Sequence, residues 1–587
     1  MVGLVAGATV TTACDDSTSD TSSSGDGGSG GTTSSGTGGS STSTSTGTGG
    51  GDVCPGATLC NGVCVNTDYD PNNCGDCDVV CDPGQVCSQG ACGMNCGGGT
   101  TQCGDLCIDT ENNPDHCGGC DEPCGAGQLC SSGVCLSECG GGLTKCGDTC
   151  VNTDTSEDHC GGCNQPCSQG EDCVSGSCII CDTNTTDCDG DGWLVGDGDC
   201  CDKSGSCGLE PELVNPGAIE VVGNGIDDNC NGLTDLFDTE DTIPCDQNLT
   251  SNTTDPVHFA NALGICRQTQ ENPSQLQDKT WGLIDAQILR ADGSPIGDHE
   301  AHSIRPAFGN VNPGALEGTR IVVLSSGIAA DGSQTNPGPN GGAPGGSNVT
   351  TTHSPSSAAN IGTCSSPLCI NDWFATANPP LKNANELPVA PNCGSGSAGT
   401  PGTANDSIML YFKLRAPTNA KAFSFNSYFF SAEYPEYVCT NYNDQFIALV
   451  DTPVPAAPIP NPLDKNLLTY NDGTSKWPIG INIAAGTSLF SVCESSSANP
   501  SCWDTSVSNA SCTLGPAQLT GTGFEHASNN CLIGGGTFWL TTSGNVVPGD
   551  ILELRIVVWD VGDTAFDSLA LLDGFEWLSN ATLPGTD

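Results

Sequence analysis

The chain has 587 residues, with 69 acidic and 14 basic side chains, a formal net charge of -55 and 41 cysteines. Such a charge repels phosphate backbones and anionic headgroups, so nucleic acid and polybasic membrane contact are excluded and cations are the natural small partners. Only 14% of residues are charged. Scarce Lys and Arg therefore make the imbalance as much as abundant Asp, and a solvated acidic surface accounts for most carboxylates.

In chain order, residues 1–14 begin with a short apolar run that ends in Thr-Thr-Ala-Cys14. This resembles the end of a bacterial lipoprotein signal, in which the cysteine becomes the lipidated N-terminus. Thr11 stands where Leu is usual and no basic n-region precedes the run, so the signal is expected to start upstream of Met1. Cys14 is also the odd cysteine, since removing it leaves an even number for pairing. Residues 15–53 are almost all Ser, Thr and Gly. They read as a flexible tether with a root-mean-square span of roughly 30 to 35 Å. No other stretch approaches the ~18 apolar residues that span a bilayer.

Three cysteine repeats follow, at residues 54–92, 96–135 and 139–178. The first carries Cys54, Cys60, Cys64, Cys74, Cys77, Cys81, Cys87 and Cys92. The second carries Cys96, Cys103, Cys107, Cys117, Cys120, Cys124, Cys130 and Cys135, and the third Cys139, Cys146, Cys150, Cys160, Cys163, Cys167, Cys173 and Cys178. From the third cysteine of each copy onward the intervals are identical, which defines a repeat of about 42 residues. Residues 54–178 contain Tyr69 as their single aromatic. A unit this small and this poor in apolar bulk must be stapled covalently, which places it in an oxidising compartment. Zinc is the alternative for pairs such as Cys74 with Cys77 and Cys117 with Cys120, next to His116 and His159. Eight cysteines exceed one four-coordinate ion, and Asn73 stands where the other copies have His. The run from Cys64 to Cys77, Cys-Val-Asn-Thr-Asp-Tyr-Asp-Pro-Asn-Asn-Cys-Gly-Asp-Cys, resembles the plant stigma-specific protein family, and the likeness extends over about 125 residues.

Residues 181–245 change character. Asp187, Asp189 and Asp191 alternate before Gly192, as the first, third and fifth places of a calcium loop do. Asp227, Asn229 and Asn231 repeat the pattern before Gly232, with Asp228 between them and Asp235 in the ninth place. The two loops bracket Asp197, Asp199 and Asp202 and the run 215–220. Over about 50 residues this resembles the bacterial metal-binding motif of the MopE type, a family named for a copper-binding member. No His occurs between 181 and 245, and oxygen ligands suit a hard cation, so the expected cofactor is Ca²⁺ rather than copper.

Residues 246–587 hold nearly all the aromatics and read as β. Apolar residues alternate at Ile408, Leu410, Phe412 and Leu414, at Phe423 and Phe425, at Phe446, Ala448 and Val450, and at Leu552, Leu554, Ile556 and Val558. Pro- and Gly-rich connections between them favour a sandwich or jelly roll. Residues 336–352 read as a surface loop, because prolines interrupt them and no helix follows to make a phosphate cradle. The run 425–437, then Asn443, Asp444 and Phe446, with 324–327 upstream and 558–568 downstream, resembles the bacterial choice-of-anchor L domain across about 290 residues. That family comprises surface proteins fixed to cells by varied means. Glu433, Asp444, Asp560, Asp563 and Asp567 are candidates for a second metal site, or equally for loop caps and turn formers.

The expected protein is multidomain and mainly β, with disulfide-rich modules before a terminal sandwich. The expected function is adhesion to or recognition of an extracellular glycan or protein by a lipid-anchored surface protein with calcium-stabilised modules. The alternatives are a glycan-active enzyme using Glu433 and Asp567, and a structural envelope component. Catalysis is not expected, because His299-Glu-Ala-His302 has the wrong spacing for a metalloprotease helix and no nucleophile elbow occurs.

Overall fold

The computed structural model describes most of residues 58–586. Residues 1–57, 94–100, 181–185, 203–206, 208–210, 235–243, 297–299, 330–358, 394–401, 454–459, 495–511 and 525–533, with shorter gaps elsewhere, lie outside it. Cys14, the residue expected to be lipidated, residues 15–53 and Asp235 are therefore outside the described residues, as are Cys54, Cys96 and His299.

Each cysteine repeat is made of short hairpins, such as Thr101–Cys103 with Leu106–Ile108 and Leu129–Ser131 with Val134–Leu136. Consecutive repeats are joined by backbone pairing. Cys87 of the first lies opposite Leu106 of the second, and Cys130 of the second opposite Thr149 of the third, both in parallel. The third repeat shows the full pattern of bonds: Cys139–Cys150, Cys146–Cys163, Cys160–Cys173 and Cys167–Cys178. The second repeats three of these as Cys103–Cys120, Cys117–Cys130 and Cys124–Cys135, and the first as Cys60–Cys77, Cys74–Cys87 and Cys81–Cys92. The two cysteines of each C-x-x-C pair thus go to different partners. His116 and His159 accept backbone N–H bonds at Nδ1 from Asp121 and Asn164, both 2.9 Å, which gives them a turn-closing role.

The C-terminal sandwich is built from strands β1 Gly282–Leu289, β2 His302–Arg305, β3 Ile321–Ser325, β4 Ala359–Asn360, β5 Thr403–Arg415, β6 Ala422–Ser431 and β7 Gln445–Asp451. They continue with β8 Thr469–Asn471, β9 Lys476–Gly480, β10 Gly535–Gly536, β11 Leu540–Asn545, β12 Ile551–Asp560, β13 Ser568–Leu578 and β14 Gly585–Thr586. One sheet runs β1-β5-β12-β7-β9-β8 with β4 beside β5. The other runs β2-β3-β13-β6-β11-β14 with β10 beside β6. The ladders in both sheets are antiparallel.

All the alternating apolar positions read from the sequence fall in the single core between the sheets. Five of the residues between them, Met409, Tyr411, Ile447, Leu449 and Val557, are also buried and apolar, because the outer face is covered too. Met409, Tyr411, Ile447, Leu449, Val557 and Trp559 lie under the short helix Asn371–Ala375, whose Trp373 meets Trp559 edge-on at 5.8 Å. On the other sheet, Tyr428, Phe430, Leu569 and Leu571 lie under Phe308, Leu519 and Phe524. The sandwich therefore has three apolar layers.

The acidic module is docked on this body. Asn419, in the turn between β5 and β6, accepts from Ile219 N at 2.9 Å and donates to Ile219 O at 2.8 Å. Thr418 donates from its hydroxyl to Asn215 at 2.7 Å, and the buried indole of Trp281 donates to Ala218 O at 3.1 Å. Burying Trp281 while satisfying its N–H makes this contact both apolar and directional.

Candidate metal centre

The first acidic loop folds around its own carboxylates. Asp187 accepts backbone N–H bonds from Gly190 at 2.7 Å and Gly192 at 2.9 Å, Asp189 from Asp191 at 3.1 Å, and Asp191 from Trp193 at 2.6 Å. The second loop copies this frame. Asp227 accepts from Asn231 at 3.0 Å and Gly232 at 2.8 Å, Asn229 from Asn231 at 3.1 Å, and Asn231 from Leu233 at 2.8 Å. Gly192 and Gly232 both turn through positive φ, at 93° and 88°, where a side chain would be strained. Two segments 40 places apart thus hold alternate oxygen side chains in one conformation.

The loops are cross-braced. Cys188 N donates to Asp202 at 2.6 Å, which ties the first loop to 199–202. The Cys200–Cys230 disulfide ties the same stretch to the second loop. Ligand oxygens of Asp187, Asp189 and Asp202 all lie within 4.8 Å of one another, and so do those of Asp189, Asp191 and Asp199. Asp189 belongs to both groups. It is 8% exposed and Asp199 3%. Each has one Oδ2 atom buried without a hydrogen-bond partner.

Crowding like charges out of water is costly, and the carboxyls respond by holding protons. Burial, then the charge of Asp191, pushes Asp189 up to about 9. Burial likewise pushes Asp191 up to about 7 and Asp199 to about 6. These oxygens fit a hard divalent cation: they converge, they are unsatisfied, and every candidate donor in the cluster is oxygen.

Other residues of the expected set have different work. Asp228 turns away from the second loop, and its Oδ2 accepts from Val221 N at 3.0 Å and Asn224 Nδ2 at 2.8 Å. Its role is to close the turn that carries the loop. Asp197 ends a short 3-10 turn, Val195–Asp197, outside both convergent groups. Asn215, which spacing did not single out, is wholly buried. It donates to Glu212 O at 3.0 Å and accepts from Gly217 N and Thr418 Oγ1, so it joins the metal loops to the sandwich.

The C-terminal carboxylates also meet, at one end of the sandwich where β6, β7, β12 and β13 begin or end. Asp444 is fully buried, accepting from Val561 N at 3.0 Å and Ser568 Oγ at 2.6 Å. Glu433 and Asp560 flank it within hydrogen-bonding reach. Asp567 acts on Asp560, and Asp563 on Glu433, through charge. Burial pushes Asp444 up to about 7 and Glu433 and Asp560 well above the usual range. Glu433, Asp444 and Asp560 are linked by hydrogen bonds, and among the described residues the five are not one of the convergent triads. Glu433 and Asp567 are 1% and 8% exposed, so neither side chain stands open to solvent. Glu436, which sequence reasoning passed over, joins this end with its carboxyl pushed up to about 8 by burial.

Residues 391–575 match the choice-of-anchor L domain, and residues 41–95 match the stigma-specific STIG1-like protein family. Both matches are shorter than the likenesses drawn from motifs, the first excluding 324–327 and the second covering one repeat. No curated protein and no solved structure matches the chain. The disulfides and the choice-of-anchor match fit an extracellular or surface protein.

Proposed function

We propose that this chain is a surface recognition or adhesion protein whose acidic module binds calcium in two loops and fixes the pose of the terminal sandwich. The observation that carries the reading is the unsatisfied, buried oxygens of Asp189 and Asp199 inside a doubled loop frame. Asp187, Asp189, Asp191, Asp199 and Asp202 would hold cations on one side, and Asp227, Asn229 and Asn231 on the other. The cation supplies the positive charge that lets these acids stay ionised together. Because Asn215, Ile219 and Trp281 join the loops to the sandwich, loading the loops stiffens the joint that presents it. Cys14 would carry a lipid anchor, and the 15–53 tether would lift the repeats from the membrane surface.

Equilibrium dialysis of the full, unreduced chain against calcium, followed by elemental analysis, tests the metal reading. At least two ions per chain are expected, with losses in Asp187→Asn and in Asp227→Asn that add in the double variant. Unchanged stoichiometry in that double variant overturns it. Metabolic labelling with a fatty acid, compared between the native chain and Cys14→Ser, tests the anchor.

A further inference from the structure

Where the acidic module meets the sandwich, a cavity of about 520 Å³ opens between residues 219–220, the Cys245–Cys266 disulfide and the end of β13. Its lining carries four carboxylates, Glu220, Asp246, Glu317 and Glu576, and the rings of Trp281, Phe575 and Trp577. Among the described residues, none that lines it is basic. Arg267, the nearby cation, lies over the Trp281 ring at 4.9 Å and is outside the lining.

The acids are placed at two depths. Asp246, 2% exposed, spends Oδ2 on the N–H and hydroxyl of Thr319, while Oδ1 is buried without a partner. Glu317 and Glu576 stand at the exposed rim and share a hydrogen bond, one carboxyl to the other. That bond requires a proton between two acids, which a bound cation would replace. Burial, then Glu576, pushes Glu317 up to about 7. The rim pair and the unsatisfied floor oxygen both ask for positive charge.

The walls decide which kind. A bare metal ion makes no use of three aromatic rings, and the cavity is far larger than one ion needs. A neutral sugar could stack on the rings and donate its hydroxyls to the carboxylates, but it would leave four acids without a countercharge. Aromatic faces beside carboxylates are the arrangement that holds an ammonium or guanidinium group, by cation–π attraction together with charge-assisted hydrogen bonds. The volume lies within the range of small-ligand sites. We propose that this cavity binds an organic cation, an ammonium or guanidinium group on a short aliphatic chain. Its source is either a basic side chain of a partner peptide or a free polyamine.

The test uses the full chain with its disulfides intact and calcium saturating, so that the acidic loops are occupied. Spermidine and acetyl-Gly-Lys-Gly-amide are titrated separately by calorimetry and by tryptophan fluorescence, with maltose as the neutral probe. Saturable one-to-one binding is expected for one cation probe, and the tighter probe identifies the source. Glu317→Gln with Glu576→Gln, both exposed positions, should weaken it about tenfold while leaving the calcium-dependent melting shift in place. Trp577→Leu should weaken it as well, whereas diffuse attraction to the acidic surface would be indifferent to that change. Binding that survives these substitutions unchanged, binding of maltose in preference, or no saturable binding of either cation overturns the proposal.

Discussion

Chelation of calcium at two pH values examines the acidic module most directly. Asp189, Asp191 and Asp199 have carboxyls pushed up to about 9, 7 and 6. A carboxyl raised on folding contributes stability that is fully present below about pH 4 and is lost as pH climbs through the folded value. While the folded group keeps a proton that the unfolded chain has released, the loss is about 1.4 kcal/mol per pH unit. Under the proposed function, bound calcium would substitute for those protons. At a hundred times its dissociation constant one site adds about 2.7 kcal/mol, or roughly 5–10 °C in Tm. Scanning calorimetry of the full chain should therefore show a large drop on adding EDTA at pH 8 and a small one at pH 5, where protons already occupy the oxygens. Asp189→Asn is the diagnostic variant. In EDTA at pH 8 it should raise Tm, because the amide needs no proton to be buried there, and in calcium it should lower Tm, because it removes a ligand. Equal melting with and without calcium at pH 8, or the same sign for Asp189→Asn in both buffers, would refute the reasoning.

Asn419→Ala removes both bonds to Ile219 and should cost about 1–3 kcal/mol at the joint; limited proteolysis should then release the acidic module from the sandwich faster than in the native chain while the sandwich persists. Non-reducing peptide mapping should recover Cys160 linked to Cys173 and Cys167 to Cys178, and replacing the first pair with Ala should cost about 3 kcal/mol; free thiols there, or bound zinc, would contradict the assignment. Phe429→Ala faces the core between the sheets and Phe430→Ala faces the outer layer against Phe524, yet each is fully buried. Both should cost about 3–5 kcal/mol in denaturant unfolding, and a negligible cost at Phe430 would mean that the outer layer is not packed.

The core between the sheets was legible because period-two alternation is a local property. Ile408 to Leu414 needed nothing beyond its own strand to show which side is buried. The outer layers were not legible, since Trp373, Phe308 and Phe524 sit in segments without period and cover strands far away in the chain. The doubled loop frame was readable from spacing, but the distinction between Asp227 and Asp228 was not. Neighbouring aspartates look alike until the backbone turns one inward to Asn224. Asn215 and Asn419 were invisible for another reason, because their partners lie about two hundred residues off and no short-range rule connects them. The gathering of Glu433, Asp444 and Asp560 depends on four strands ending at one edge, which the order of strands in the sheets decides.

The interleaved disulfides have a mechanical consequence. In the third repeat each covalent loop overlaps the next, so every residue from Cys139 to Cys178 lies inside at least one. Pulled from its ends, the repeat can lengthen only along the shortest bonded route. That route crosses from Cys139 to Cys150, steps back to Cys146, crosses to Cys163, steps back to Cys160, crosses to Cys173 and follows the chain to Cys178. At ~3.5 Å per residue it reaches roughly half the length of the unlinked strand. Tension applied along the chain would therefore pass through the repeats with little slack taken up in them.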